Sequence, residues 1–327
     1  MDFQNIDGIG LDPMKTLMIS RTPHFLLLLS SLFYFAIFSG RSVADEKPLT
    51  GTMKTLDPRA LGLSGAMVAG PAGTSAVYLN PATISMVPLY HFEGMYQFTA
   101  RENMHMGGIA AVDSVTTVVG AGLAFNYSGI DQSRTEHQAY DVRLSLSGAI
   151  GKMLFLGATG RYIRLEQNIA SSKWGPVGKP ALPKSGSQQL DGFTFDAGAA
   201  LKIGELISLG VTGYNLTNTG SAFAPIELAG GVSLSLLEML LLEFDVGTDF
   251  TSHDDAAIEL RLGGELFIAG ALAIRGGYLY DIYYNMHGVS AGLGYVHSRF
   301  AIDAGFTQEI REDGRIAVAI GFKYFVN

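Results

Sequence analysis

Cysteine is absent from the 327 residues, so no disulfide framework, thiolate metal site, iron–sulfur centre, catalytic thiol or lipidated N-terminal cysteine can be built. Charge is scarce. Asp, Glu, Lys and Arg together make up 16% of the chain, where a soluble domain usually carries about a quarter. Bases are scarcer than acids, 22 against 30, and the resulting charge of −8 argues against nucleic acid or an anionic membrane surface as a partner. Beyond the first forty residues no run is long and apolar enough for a membrane helix. What is abundant is glycine (41), phenylalanine (19) and tyrosine (14), in a chain that is 48% hydrophobic. That composition suits a protein whose surface does not all face water.

The first 44 residues read as a secretory signal. Lys15 and Arg21 precede the apolar stretches 25–29 and 32–38, and Ser42, Val43 and Ala44 offer small residues for cleavage before Asp45. An uncleaved anchor helix is the alternative, and Met14 or Met18 are alternative starts. From Tyr90 onward, apolar and polar residues alternate with period two in segments of about ten residues, divided by Gly, Asn, Asp and Ser clusters. Fourteen such segments can be marked: 90–101, 104–112, 117–128, 139–151, 153–164, 191–203, 206–216, 226–236, 238–250, 256–268, 270–281, 287–296, 299–308 and 315–325.

The connections alternate in length. Those at 129–138, 165–190, 217–225, 251–255, 282–286 and 309–314 are long, while those between them are one or two residues; the first, at Glu102 and Asn103, is shorter than the rhythm requires. Short periplasmic turns and longer outer loops are the pattern of an up-and-down outer-membrane barrel with both termini in the periplasm. The faces sort accordingly. In the last segment Ile316, Val318, Ile320, Phe322 and Tyr324 alternate with Ala317, Ala319, Gly321 and Lys323, so one face suits lipid and the other a lumen. A chain that spans hydrocarbon without helices must close its sheet to satisfy the backbone. The expected fold is therefore all-β, a 14-stranded antiparallel transmembrane β-barrel over 90–327. A soluble two-sheet sandwich burying the same apolar face is the competing reading. Aromatic residues near segment ends, Tyr90, Tyr127, Tyr162, Tyr280 and Tyr324 among them, suit the headgroup level.

The ionisable residues expected on the inner face are Arg143, Arg161, Asp196, Glu243, Asp245, Glu259, Arg261, Glu265, Arg275, Asp303 and Lys323. Both signs are present, which points to an ion-pair lattice that stiffens the barrel, with a selectivity filter as the alternative. Inward glycines and alanines such as Gly120, Gly122, Gly198, Gly263, Gly277 and Gly305 would let something approach the wall closely.

Residues 59–82 read RALGLSGAMVAGPAGTSAVYLNPA. Through Arg59–Gly62, Gly65, Ala66, Ala69, Ser75, Ala76 and Asn80–Ala82 this segment resembles the N-terminal signature of the FadL-like long-chain fatty-acid outer-membrane transporters, a superfamily that includes the PorV-type secretion proteins. It departs from that signature at Gly73 and Thr74, where an acid is usual, and at Thr83, where Gly is common. The resemblance implies a fourteen-stranded barrel with residues 45–89 folded into the lumen as a hatch, in which Gly62, Gly65, Asn80, Pro81 and Ala82 form the hatch motif. Asn80 would cap a neighbouring backbone group or bond a lumen residue; otherwise Asn-Pro is merely a turn into the first strand.

No chemistry is legible. The seven histidines are scattered without ligand spacing, His253, Asp254 and Asp255 fall in an expected outer loop, and Ser64 lacks the setting of a nucleophile elbow. The expectation is of no enzyme, no metal and no cofactor. By resemblance the function is passive uptake of a fatty-acid-like hydrophobic compound by hatch movement and lateral exit through the wall. The loop 165–190, with Trp174, Pro176 and Leu182, would shape the ligand pocket, and Gly107 with Gly108 or Gly120 with Gly122 would supply the wall kink. The alternatives are a PorV-like scaffold or shuttle for protein secretion, and a structural barrel with neither role. Expected partners are outer-membrane lipids, the barrel-assembly machinery during insertion and a hydrophobic small-molecule ligand, with the barrel a monomer.

Overall fold

The computed structural model describes residues 56–327 except 101–102, 133–134, 170–185, 218, 220–223, 238, 253–254, 311–313 and 327. The segment read as a secretory signal and the start of the segment after it lie outside the described residues. Fourteen strands follow a short helical stretch: β1 (Tyr90–Thr99), β2 (Met104–Asp113), β3 (Val119–Gln132), β4 (Thr135–Ile150), β5 (Leu154–Ile169), β6 (Gly186–Ile203), β7 (Ile207–Tyr214), β8 (Glu227–Leu236), β9 (Leu240–Asp249), β10 (Ala257–Ile268), β11 (Leu272–Asp281), β12 (Met286–Val296), β13 (Phe300–Glu309) and β14 (Ile316–Phe325). Each pairs antiparallel with its neighbours in sequence, and β14 returns to β1 from His91↔Phe325 to Thr99↔Ala317, closing the barrel. The sandwich reading is excluded by that closure.

The alternation that marked the strands sorts their faces. Ala317, Ala319, Gly321 and Lys323 are buried inward on β14, while Ile320, Phe322 and Tyr324 stand exposed on the outside; on β10 Arg261, Gly263 and Glu265 point in and Ile258, Leu262 and Leu266 point out. An outer surface this apolar is explained by lipid, since soluble proteins rarely leave large contiguous apolar patches.

One expected loop is largely strand and a second is partly so. The β3–β4 ladder continues to Gln132↔Thr135 and the β5–β6 ladder to Ile169↔Gly186, so 129–138 and 165–190 shrink to 133–134 and 170–185. Strands need only about 9–11 residues to cross the hydrocarbon, and β4, β5 and β6 have 16, 16 and 18. Above the membrane both faces of a hairpin meet water, so the polarity alternation fades while the backbone pairing persists. At the other extreme β7 has eight residues and pairs with β6 only from Ala197↔Gly213 to Ile203↔Ile207. The connection after β2, 114–118, clasps the chain as it enters β1: Ser114 Oγ donates to Val87 O at 2.8 Å, and Ser114 N to Leu89 O at 2.9 Å.

Candidate functional site: the filled lumen

Residues 56–86 lie against the inner face of the barrel, and 87–89 lead out of it into β1. Asp57 starts helix α1 (Pro58–Gly62) by accepting from Ala60 N at 3.2 Å, and Pro58, with its preset φ, occupies the first turn. The chain then reverses through Ser64 and Gly65, at φ 55° and 74°; a glycine carries the second position at no steric cost. Helix α2 (Ala76–Leu79) follows, and a 3-10 turn over Pro81–Met86 leads to β1. Leu63, Met67, Val68, Val77 and Ile84 are fully buried, each worth about 1.5–3 kcal/mol of apolar burial.

The segment fits because the wall facing it lacks side chains. A Cβ on Gly157 would lie 2.4 Å from the Pro81 carbonyl carbon, one on Gly210 2.2 Å from Val68 O, and one on Gly305 2.3 Å from Pro58 O. A Cβ on Gly62 would likewise lie 3.0 Å from Gly292 Cα. Of the inward glycines marked in the sequence, Gly120, Gly122, Gly198, Gly263, Gly277 and Gly305 face the segment.

Asn80 ties the segment both to itself and to the wall. Its Oδ1 accepts from Ala82 N at 3.1 Å, and its Nδ2 donates to Val68 O at 2.7 Å and to Ala199 O on β6 at 3.3 Å. Tyr214 donates to Leu79 O at 2.5 Å and Ser147 to Ala82 O at 2.9 Å. Every one of these bonds is neutral.

The opposite end of the segment is held by charge. Arg59 forks onto Glu265, with Nε at 3.0 Å and a terminal nitrogen at 2.8 Å; Glu265 also accepts from Arg275 at 2.5 Å. Arg275 reaches Asp303 at 2.7 Å, Asp303 meets Lys323 at 3.1 Å, and Lys323 stands 3.5 Å from Asp57, next to α1. The chain of charges thus leaves the segment at Arg59, crosses β10, β11, β13 and β14, and returns at Asp57. Glu93 on β1 lies 3.6 Å from Lys323 and accepts from Thr74.

A second cluster gathers Asp141, Arg143, Arg161 and Asp196. Asp141 receives Arg143 at 2.9 Å and Arg161 at 2.7 Å, Arg143 lies 3.7 Å from Asp196, and its guanidinium stands over the Tyr78 ring, 5.1 Å from the centroid. Arg161 also donates to Asn215 Oδ1 at 2.9 Å. Arg261 pairs with Glu259. Glu243 and Asp245 belong to neither cluster: both are buried, Asp245 accepts from Val68 N at 3.0 Å, and among the described residues neither oxygen of Glu243 has a partner in hydrogen-bond geometry, with Ser233 the nearby hydroxyl. Asp57, Glu93 and Asp141 were not singled out in the sequence; the parity of Asp141 with Arg143 on one strand was the available signal.

No family model matches the sequence, and no curated protein does. Solved structures do match. The Ralstonia pickettii toluene transporter TbuX superposes with a TM-score of 0.67 at 13% identity, over 84% of this chain and 99% of that one. CymD, a monoaromatic hydrocarbon channel, gives 0.65 at 11% identity over 85% and 99%, and a Pseudomonas aeruginosa FadL homologue 0.60 at 14% over 84% and 99%. The chain has the FadL-type fold.

Within that fold, the glycines expected to kink the wall do not interrupt it. Pairing runs without a skipped residue through Gly107 and Gly108 on β2 and through Gly120 and Gly122 on β3. Gly107 faces outward into open space, whereas a Cβ on Gly108 would meet Asn126 and one on Gly122 would meet Val77. Gly108, Gly120 and Gly122 make room in the lumen, and the ladder is unbroken at all four positions. Among the described residues of this chain the shortest ladder is β6–β7, with seven consecutive pairs against eight in β7–β8. Trp174, Pro176 and Leu182 lie outside the described residues. Among the described residues, no group of three or more His, Asp and Glu side chains is placed to hold a metal.

Proposed function

We propose that this chain is an outer-membrane channel for passive uptake of small hydrophobic compounds, in which movement of the luminal segment opens the path. The reading is carried by one observation: a closed barrel is stoppered by its own N-terminal segment, and the solved barrels that share its fold include channels named for toluene and monoaromatic hydrocarbons. A fatty-acid-like molecule fits the same chemistry. The ligand docks among the outer loops, the Asn80 end of the segment shifts, and the molecule leaves sideways into the membrane, so that it never crosses a polar layer unaided. The short β6–β7 ladder favours that seam over the glycines of β2 and β3 as the exit.

The test exploits the absence of cysteine. Ala82→Cys with Ser147→Cys places a disulfide at the neutral end of the segment, and Ser64→Cys with Ser290→Cys places one at the charged end, where the two serine hydroxyls are 2.8 Å apart. In proteoliposomes offered toluene and a long-chain fatty acid, oxidation of the first pair should cut uptake at least tenfold, reversibly on reduction. The second should change it little. Uptake at the background of empty liposomes in the unlocked protein would sink the proposal. A second reading, a PorV-like scaffold for secreted proteins, is favoured by the tall β3–β6 hairpins; it predicts partner capture by those hairpins and no co-purifying apolar molecule.

A further inference from the structure

Two hairpins carry the same short pattern beside their turns. Tyr96, Phe98, Asn103, Met104 and His105 in β1–β2 recur at identical spacing as Tyr278, Tyr280, Asn285, Met286 and His287 in β11–β12. The geometry repeats with the residues. Both asparagines close their turns at φ 48°, a left-handed conformation that Asn tolerates. His105 stands opposite Phe98 and His287 opposite Tyr280 in their ladders. In each hairpin a tyrosine hydroxyl meets Nδ1 of the histidine nine residues on, at 2.6 Å for Tyr96–His105 and 2.5 Å for Tyr278–His287. Each imidazole also packs on a second ring, Phe98 at 5.0 Å and Tyr280 at 4.7 Å between centroids.

Both clusters are on the outer face. Tyr96 is 42% exposed and Tyr278 36%, beside exposed Ile109 and Val289. Both lie at the barrel end away from the chain termini, the outer end when the termini face the periplasm, where aromatic rings meet lipid headgroups. A girdle tyrosine ordinarily keeps its hydroxyl for headgroup or water. Here the hydroxyl is engaged by Nδ1. With tyrosine as donor, the ring proton of the histidine sits on Nε2, which bonds to nothing among the described residues.

We infer that these hairpins are two stations for the phosphate of outer-leaflet lipid headgroups, each presenting the Nε2–H of His105 or His287 above a floor of aromatic rings. An imidazole donor gains most from an anionic acceptor, because the bond is charge-assisted. Four strand spacings of about 4.8 Å separate β2 from β12 around the wall, roughly 19 Å, so each station takes its own lipid. The net charge of −8, which on composition spoke against an anionic surface, is spread between the lumen and the loops, and Asp281 and Glu309 lie near the His287 station. Among the described residues the buried set includes nine acids against five bases, so much of the excess negative charge is inside the barrel. The inference does not depend on the uptake reading.

Native mass spectrometry of the full chain in detergent, offered bisphosphorylated lipid A or its dephosphorylated form, tests it. Wild type should retain two phosphorylated lipids and release the dephosphorylated form readily. His105→Phe with His287→Phe, which keeps the rings, should weaken retention about tenfold per station while strand content and melting temperature stay unchanged. Tyr96→Phe with Tyr278→Phe, which frees the imidazole without removing it, should cost a few-fold. Equal retention of both lipids, or an unaffected histidine double variant, would overturn the inference. So would displacement of the lipid by an equal concentration of inorganic phosphate, since the site would then be one for a free anion.

Discussion

The two ends of the luminal segment are fastened by different physics. The α1 end is held to β10–β14 through Arg59, Glu265, Arg275, Asp303, Lys323 and Asp57; the Asn80 end is held to β4–β7 by amide, hydroxyl and backbone bonds, with Arg143 adding two long bonds to Val77 O and Tyr78 O at 3.5 Å but no ion pair to the segment. Pulling a charged group out of a buried pair leaves its partner uncompensated at low dielectric, whereas a neutral hydrogen bond can be exchanged for one to water at small net cost. On the proposed uptake reading, a segment built this way would move at its Asn80 end and pivot on its Arg59 end. The wall beside the Asn80 end also contains the eight-residue β7, whose ladder with β6 is seven pairs long.

The largest effect should come from breaking the charged end. Glu265→Ala strands both Arg59 and one bond of Arg275, and should lower unfolding stability by about 3–5 kcal/mol in urea titrations of the liposome-inserted barrel. Asn80→Ala removes three hydrogen bonds and leaves the Ala82 N–H and Val68 and Ala199 carbonyls wanting partners; about 2–3 kcal/mol should be lost, and limited proteolysis should cut within 66–86. If Asn80→Ala cost more than Glu265→Ala, the assignment of the mobile end would be reversed.

Smaller substitutions sharpen the contrast. Gly157→Ala pushes a methyl into the Pro81–Ala82 backbone and should cost about 1–3 kcal/mol, while Gly107→Ala, outward into open space, should stay within about 0.5 kcal/mol of wild type. An equal response at both glycines would mean that the segment does not press on the wall. Glu243→Gln should act with the opposite sign, raising the urea midpoint by the equivalent of about 1 kcal/mol at neutral pH. It removes a buried carboxylate that, among the described residues, has no partner in hydrogen-bond geometry. A fall in the midpoint would show that Glu243 is engaged by a group it does not touch in this structure.

Much of the barrel was readable beforehand because each strand announces itself locally. Ile316, Val318 and Ile320 alternate with Ala317 and Ala319 whatever lies elsewhere in the chain, and lipid outside with a lumen inside enforces that alternation over the membrane height. It failed where that constraint ends, in the upper parts of β3–β6, which have water on both sides and needed only each other's backbone. Asn80 was legible as a cap because Asn-Pro-Ala is a short-range arrangement, and its Oδ1 bond to Ala82 N is local; its bond to Ala199 O is not.

By itself, the sequence determined that fourteen strands form, which face of each meets lipid, and that inner-face charge and glycine are available. Those properties depend on neighbours one or two residues away. Which charges pair was decided only by closure of the sheet and the path of the segment within it: Arg59 finds Glu265 across 206 positions of chain, and among the described residues Glu243 is left without a partner in hydrogen-bond geometry although its residue type is the same. The glycines divide in the same way, since Gly107 faces open space outside the wall whereas Gly157 faces the Pro81–Ala82 backbone that the folded segment brings against it. Contacts between residues so far apart depend on strand register and on the shape of the lumen, and neither is written in any short stretch of chain.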